Sequence, residues 1–194
     1  MNNFLQILEN GEMIIIPTET VFGIAVRADN DRAINNIYKV KKRSEQKPLQ
    51  IMVSDIAMAK KYAVFNDKAE SLANKYWPGS LTMILRSKVD TKLSTLLDHN
   101  GTIGLRIPNN EKVLDLLRSI DVPLAVTSAN ISNESPLLDL YGIKDVFGDD
   151  IAILDNKNSN FSGIASTVID ITSDNVRFLR DGNISRGELL SSLL

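Results

Sequence analysis

Six short segments of the sequence gather cations, hydroxyls and amides where apolar strands begin or end. Thr18, Glu19 and Thr20 follow "IIIP"; Lys41, Arg43 and Lys47 precede "PLQIMV"; Thr102 and Arg106 lie along "TIGLRIP". Ser128 and Asn130 close "AVTSANIS", Ser166 and Thr167 open "STVID", and Arg180 ends "RFLR". Guanidinium, ammonium and hydroxyl groups are the side chains that bind phosphate and carboxylate oxygens, through charge-assisted and often bidentate hydrogen bonds. Ligands of α/β sheets usually sit at strand ends. The expected chemistry is therefore anion binding in one shared pocket.

Each segment also has a purely structural explanation. Ser and Thr after a strand cap helices and close turns, which is the weaker-site reading of Thr18. Arg106 lies in an apolar strand and cannot be buried alone; it needs a carboxylate or phosphate, from a ligand or from an ion pair within the protein. "YKVKKRSEQK" holds five Lys or Arg and one acid, and is either a solvated helix face or a delivery of cations to a strand entrance, where they would suit a polyphosphate. Trp77 in "WPGSLT" is expected to be a core anchor at a helix end stopped by Pro-Gly; the other reading is a platform for adenine. Asp170 is expected to be a turn or strand-end partner.

Several chemistries are excluded. The chain has no cysteine and one histidine, His99, in the turn-like "LDHNG", so thiolate zinc sites, cysteine nucleophiles and His-pair metal sites are absent. Neither G-x-x-x-x-G-K-[ST] nor G-x-G-x-x-G occurs. A nucleotide would have to be held by side-chain cations and hydroxyls, helped by backbone amides in turns. Catalysis would rest on positioning and charge stabilisation rather than on a dedicated general base.

The elements that must position these groups follow from periodicity and punctuation. Helices are predicted at "FLQILENG", "DRAINNIYKVKK", "DIAMAKKYAV", "KAESLANKYW", "EKVLDLLRSI", "DLYGIKDVF" and "RGELLSSLL". Strands are predicted at "MIII", "VFGIAVRA", "LQIMV", "SLTMILR", "TIGLRIP", "PLAV", "IAIL", "STVIDI" and "VRFL". Nothing interrupts them as a repeat or long linker, so the 194 residues read as one α/β domain, 1–194, with an open twisted mixed sheet and flanking helices. The closely spaced late strands suit antiparallel pairing. The Ser/Asn-rich "DNKNSNFSG" and "ISNESP" are the candidate flexible loops. A net charge of -2, no apolar run near the ~20 residues of a membrane span, and an N-terminus without a secretory pattern imply a cytoplasmic location and no membrane partner.

With "PTETVFGIA", "KKRSEQKPL", "WPGSLT", "TIGLRIP", "TSANIS", "STVID" and "LRDG" in this order from about Met13 to Gly182, the chain resembles the YrdC-like family, the threonylcarbamoyl-AMP synthases, in its short single-domain form. The resemblance implies a sheet around a positively lined cavity. It also implies synthesis of threonylcarbamoyl-adenylate and pyrophosphate from L-threonine, bicarbonate or CO2, and ATP with Mg2+. A downstream complex would then transfer the threonylcarbamoyl group to tRNA. By motif, Lys41, Arg43, Ser128 and Asn130 would surround the phosphates and reacting centre. Thr20, Arg106, Ser166 and backbone near Val126 would hold threonine, with Arg106 on its carboxylate; Lys47, Thr102 and Arg180 would lie on the nucleotide side, with Arg43 and Ser128. Two departures stand out: Met52 where relatives often have histidine, and Asn133 where they tend to have glycine, which puts the nucleotide contact of the loop through Ser135 and Pro136 in question.

Two other functions fit parts of the sequence. The basic stretch 39–47 would serve a non-catalytic RNA-binding module, with tRNA as the partner, although the net charge is -2 and neither an RNP-like aromatic strand nor a GXXG loop is present. A carbamoyl-transfer domain of related fold would ordinarily belong to a longer chain with Cys-rich segments.

Overall fold

The computed structural model describes residues 1–154, 161–173 and 175–193. The predicted loop "DNKNSNFSG" begins in 155–160, which lie outside the described residues. Chain order is α1 (Asn2–Glu9), β1 (Ile14–Ile16), β2 (Gly23–Arg27), α2 (Asp31–Val40), β3 (Gln50–Met52), α3 (Ile56–Tyr62), β4 (Ala63–Val64) and α4 (Asp67–Tyr76). There follow β5 (Leu81–Ser87), a single 3-10 turn (Thr95–Leu97), β6 (Thr102–Arg106), α5 (Glu111–Ile120), β7 (Leu124–Ser128), α6 (Leu140–Phe147), β8 (Ala152–Ile153), β9 (Thr167–Asp170), β10 (Arg177–Arg180) and α7 (Arg186–Ser191).

Helix starts are chemically specified. Asn30, Asn66 and Asn110 each accept from the backbone N–H three residues on, as do Asp55, Asp139 and Ser185. At the first helix exit, Gly11 takes φ 77, a left-handed conformation that glycine adopts without Cβ strain.

The strands form one open mixed sheet, in the order β10-β9-β5-β6-β3-β7-β2-β1-β8, with β4 on β5 off that path. Pairs β3/β6, β5/β9 and β1/β8 are parallel and the rest antiparallel. The late strands only partly match the antiparallel expectation. β9 and β10 pair that way, but β9 lies parallel to β5, and "IAIL" crosses to the far edge to lie parallel to β1. Strand adjacency in sequence carries no information about which edge is vacant. Ala63 and Val64, predicted as the end of the helix "DIAMAKKYAV", instead form the two-residue β4, too short to show a period of its own.

Alternation sorts the central strands into two faces. Ile51, Leu105, Met83, Ala125 and Ile169 point to one face and are all fully buried. On the opposite face Gln50, Gly104, Ile84, Val126 and Val168 line a cavity. The apolar face anchors the sheet in the core, which frees the other to carry polar groups.

Candidate functional site

The cavity has a volume of about 180 Å3, and its walls come from every predicted polar cluster. Thr20, Arg43, Arg106, Val126, Ser128, Ser166 and Arg180 all line it. Residues spread over 160 positions of sequence thus meet because β6, β3, β7 and β9 bring their ends together.

Arg106 is 2 % exposed and held on three sides. Its Nε donates to the Gly79 carbonyl at 3.0 Å, and its Nη2 donates to Glu19 Oε1 at 2.7 Å and to Thr20 Oγ1 at 3.1 Å. "WPGSLT" is therefore part of the mounting. Trp77 is buried, donates from Nε1 to the Leu81 carbonyl at 2.7 Å, and precedes a cis Pro78. It is a core anchor and is not among the residues that line the cavity. A Cβ on Gly79 would sit 2.4 Å from the Tyr76 carbonyl oxygen, so the turn that presents Gly79 to Arg106 requires glycine. The question raised by Arg106 has a double answer: Glu19 supplies the carboxylate, and the guanidinium still faces the cavity.

Thr18 has the turn role. Its hydroxyl donates to the Val21 carbonyl at 2.7 Å and accepts from the N–H groups of Thr20 and Val21.

Lys41 and Asn130 stand behind the cavity wall rather than in it. Lys41 is 1 % exposed, and its ammonium donates to the carbonyls of Ser128 and Asn130 and to Asn130 Oδ1, the last at 2.9 Å. Asn130 Oδ1 also accepts from Ser128 Oγ at 2.7 Å, and its amide donates to the Glu134 carbonyl. Every polar group of the Asn130 side chain is thus used to fold "TSANIS" into a turn, which aims Ser128 at the cavity. Burial, and then the neighbouring Arg43 charge, pull Lys41 down to about 7. The motif placed these two residues at the reacting centre; here both hydrogen-bond to the turn that carries Ser128, next to the residues that line the cavity.

Arg43 faces the cavity, with Nε donating to the Lys47 carbonyl at 2.9 Å and Nη2 to that of Pro48 at 3.2 Å. Arg180 donates from Nε to the Ser166 carbonyl at 3.0 Å and from Nη2 to Ser166 Oγ at 2.9 Å. Burial lowers the pKa of both groups, and for Arg180 the charges of Arg106 and Arg43 lower it further. Three guanidiniums that feel one another, with Glu19 ion-paired to one of them, make a hollow suited to anions.

Two predicted nucleotide-side residues lie outside the lining. Lys47 is exposed and donates to Asn133 Oδ1 at 3.2 Å. Asn133 itself takes φ 72, so asparagine keeps the left-handed backbone that glycine would favour there. Thr102 begins β6 on the same sheet face as Arg106, but its hydroxyl donates to the His99 carbonyl at 2.7 Å in an exposed turn. His99 shares that turn, is exposed and is not among the residues that line the cavity. Val126 is paired to Ala25 on one side and Gln50 on the other, and presents its side chain to the cavity.

Of the basic stretch, Lys39, Lys42 and Lys47 are exposed, while Lys41 is buried and Arg43 turns inward. Sequence reasoning missed Gln50 and Thr82, which line the cavity and are joined by a 3.0 Å hydrogen bond. Met52, two residues after Gln50 on the same face, is buried and outside the lining. The signal was available in alternation: Gln50 is the polar residue in "PLQIMV", and its face is the face of Arg106. Asp170, in contrast, is a strand-end partner, accepting from Thr172 and from Arg177.

The Sua5/YciO/YrdC family model, described as Telomere recombination, matches residues 6–182. The chain belongs to this family. A Bacillus subtilis protein named threonylcarbamoyl-AMP synthase is 31% identical over 185 residues, covering 94% of this chain and 53% of its own. A Methanocaldococcus jannaschii relative that carries the same name provisionally is 38% identical over 176 residues, covering 90% of this chain and 82% of its own. The structure of Pyrococcus abyssi Sua5 complexed with L-threonine superposes with a TM-score of 0.91 at 28% identity, over 98% of this chain and 56% of that one. The chain spans about half the length of the Bacillus subtilis and Pyrococcus abyssi relatives. Among the described residues no helix is long and apolar enough to cross a membrane.

Proposed function

We propose that this chain synthesises threonylcarbamoyl-AMP from L-threonine, bicarbonate or CO2, and ATP, releasing pyrophosphate: a nucleotidyl transfer that opens the threonylcarbamoyl modification of tRNA. The observation that carries this reading is the convergence of Arg43, Arg106, Arg180, Ser128 and Ser166 on one cavity. The names of the relatives and the threonine complex of Pyrococcus abyssi Sua5 support it. A cytoplasmic setting and a downstream transfer complex acting on tRNA belong to the same reading.

Arg106, braced by Glu19 and Gly79, would clamp the threonine carboxylate. The free amine then adds to CO2 and loses a proton, or condenses with bicarbonate and loses water, to give a carbamate. A carbamate oxygen attacks the α-phosphorus and pyrophosphate departs with the bond electrons. Negative charge grows on the transferring phosphoryl group and on the leaving group, next to Arg43 and Arg180. Ser128, whose proton goes to Asn130, offers its oxygen lone pairs to the cavity. At about 180 Å3 the cavity is smaller than the roughly 300–1,000 Å3 of a pocket enclosing a whole drug-sized ligand. It suits an amino acid and the reacting phosphate, with the rest of the nucleotide over the rim.

Among the described residues no cluster of carboxylates and histidines forms a metal site, and Glu19 is already taken by Arg106 and the Asn109 N–H. Mg2+ would therefore arrive on the ATP phosphates, held by their oxygens and by water, and would offset phosphate charge there.

The test is to incubate the protein with ATP, Mg2+, L-threonine and labelled bicarbonate. Equal amounts of pyrophosphate and labelled adenylate are expected. Absence of threonine-dependent pyrophosphate release, together with salt-sensitive tRNA binding, would instead establish the RNA-binding reading.

A further inference from the structure

Two cavity residues, Gln50 and Thr82, have no part in the scheme above, and a hydrogen-bonded chain ties them to Ser166 and Arg180. Arg180 Nη2 donates to Ser166 Oγ at 2.9 Å, Ser166 Oγ lies 2.8 Å from Thr82 Oγ1, and Thr82 Oγ1 donates to Gln50 Oε1 at 3.0 Å. Thr82 has one proton and gives it to Gln50, so Ser166 must donate to Thr82 while accepting from Arg180. Gln50 Oε1 is thereby fixed as the acceptor end, and its amide N–H2 is left over. That nitrogen has no protein acceptor among the described residues, and no buried side-chain nitrogen or oxygen lacks a partner, so the amide opens to the cavity.

The placement is specific. Gln50 is on β3 beside Gly104 and Thr82 is on β5 beside Arg106, so their bond crosses β6 diagonally between those two residues, on a side where Gly104 has no side chain to obstruct it. Ile84, Val126 and Val168 line the cavity on the same face. The result is a donor pair, held by three strands and a guanidinium, in an otherwise apolar patch beside Arg106.

The geometry points to Gln50 as a specificity-determining residue whose amide N–H2 donates to the side-chain hydroxyl oxygen of the amino-acid substrate, with Thr82 and Ser166 as its positioning residues. This assignment rests on the function proposed above. With the carboxylate on Arg106, and the amine kept free to capture the one-carbon unit, the β-hydroxyl is the oxygen acceptor that remains unread. The apolar residues around the amide would take the adjacent methyl. A buried donor left unpaired penalises an analogue lacking the hydroxyl, which is how such sites discriminate more strongly than apolar pockets do.

Calorimetric binding of L-threonine and of L-2-aminobutyrate, which keeps the carbon skeleton and lacks the hydroxyl, tests the assignment. Wild-type protein should prefer threonine by about tenfold or more. Gln50→Leu should bring the two ligands to within about twofold, by weakening threonine rather than by improving general affinity, and Thr82→Val should reduce the preference while leaving the amide in place. If Gln50→Leu does not fold, Thr82→Val decides by the same ratio. Unchanged preference in a folded Gln50→Leu or Thr82→Val protein overturns the assignment alone. Failure of the wild-type protein to bind threonine overturns it together with the proposed function.

Discussion

Arg106 Nη2 lies 2.7 Å from Glu19 Oε1, and the second oxygen of that carboxylate accepts from the Asn109 N–H at 3.1 Å. The buried guanidinium is thus compensated before any ligand arrives, and the segment that supplies the carboxylate is the one that also supplies Thr20. Removing one partner of a buried ion pair typically costs roughly 3–5 kcal/mol. Glu19 is 21% exposed, which places Glu19→Ala at or below the lower end of that range. Urea unfolding should show the loss, and an unchanged midpoint would mean that Arg106 does not depend on this partner.

Arg43 is oriented by two carbonyl oxygens, Arg180 by the carbonyl and hydroxyl of Ser166, and both line the cavity. Arg43→Ala and Arg180→Ala should each lower the rate of pyrophosphate release ten- to hundredfold, about 1.5–3 kcal/mol for one charge-assisted contact. Lys47→Ala, which removes only an exposed bond to Asn133, should have a much smaller effect. Equal losses in all three would show that net positive charge, rather than cavity position, sets the rate.

Lys41 carries a pH signature. Its folded value of about 7 lies below the ordinary 10.5, so the unfolded chain binds more protons than the folded one between these two values. Its contribution to stability is complete above the unfolded value, declines as pH falls, and levels off below about 7. The wild-type stability curve should therefore rise with pH relative to that of Lys41→Met between about pH 7 and 9, by no more than about 1.4 kcal/mol per unit. Parallel curves would show that the three oxygens around Nζ keep the ammonium charged throughout.

Gly182 abuts the backbone that presents Ser166. A Cβ there would lie 2.3 Å from the Ala165 carbonyl oxygen and 2.4 Å from the Thr167 nitrogen. Backbone cannot yield as a flexible side chain does, so Gly182→Ala should destabilise by at least the roughly 1–3 kcal/mol of ordinary overpacking. Because Arg180 and Thr82 both bind Ser166, threonine affinity should fall as well. A thermal melt together with calorimetry checks both, and a stable variant with normal affinity would count against the close packing.

Much of this molecule was legible in one dimension. Apolar runs bounded by caps and glycines determine the strands and helices, because burial periodicity and unsatisfied helix-end N–H groups are local demands. The cationic and hydroxyl clusters likewise follow from residue type, since Arg106 in an apolar strand needs an anionic partner wherever it ends up. What only the tertiary structure decided is the direction in which each group points and which partner it finds. Sheet order sent β8 to the far edge, because edge choice depends on vacant backbone partners distant in sequence. The residue type of Lys41 promised a cation, and only the fold showed that its ammonium meets three oxygens of "TSANIS". Gln50 reaches Thr82 because β6, between their strands, carries a glycine beside Gln50 and leaves the diagonal open, a relationship among three strands that no single stretch of sequence contains.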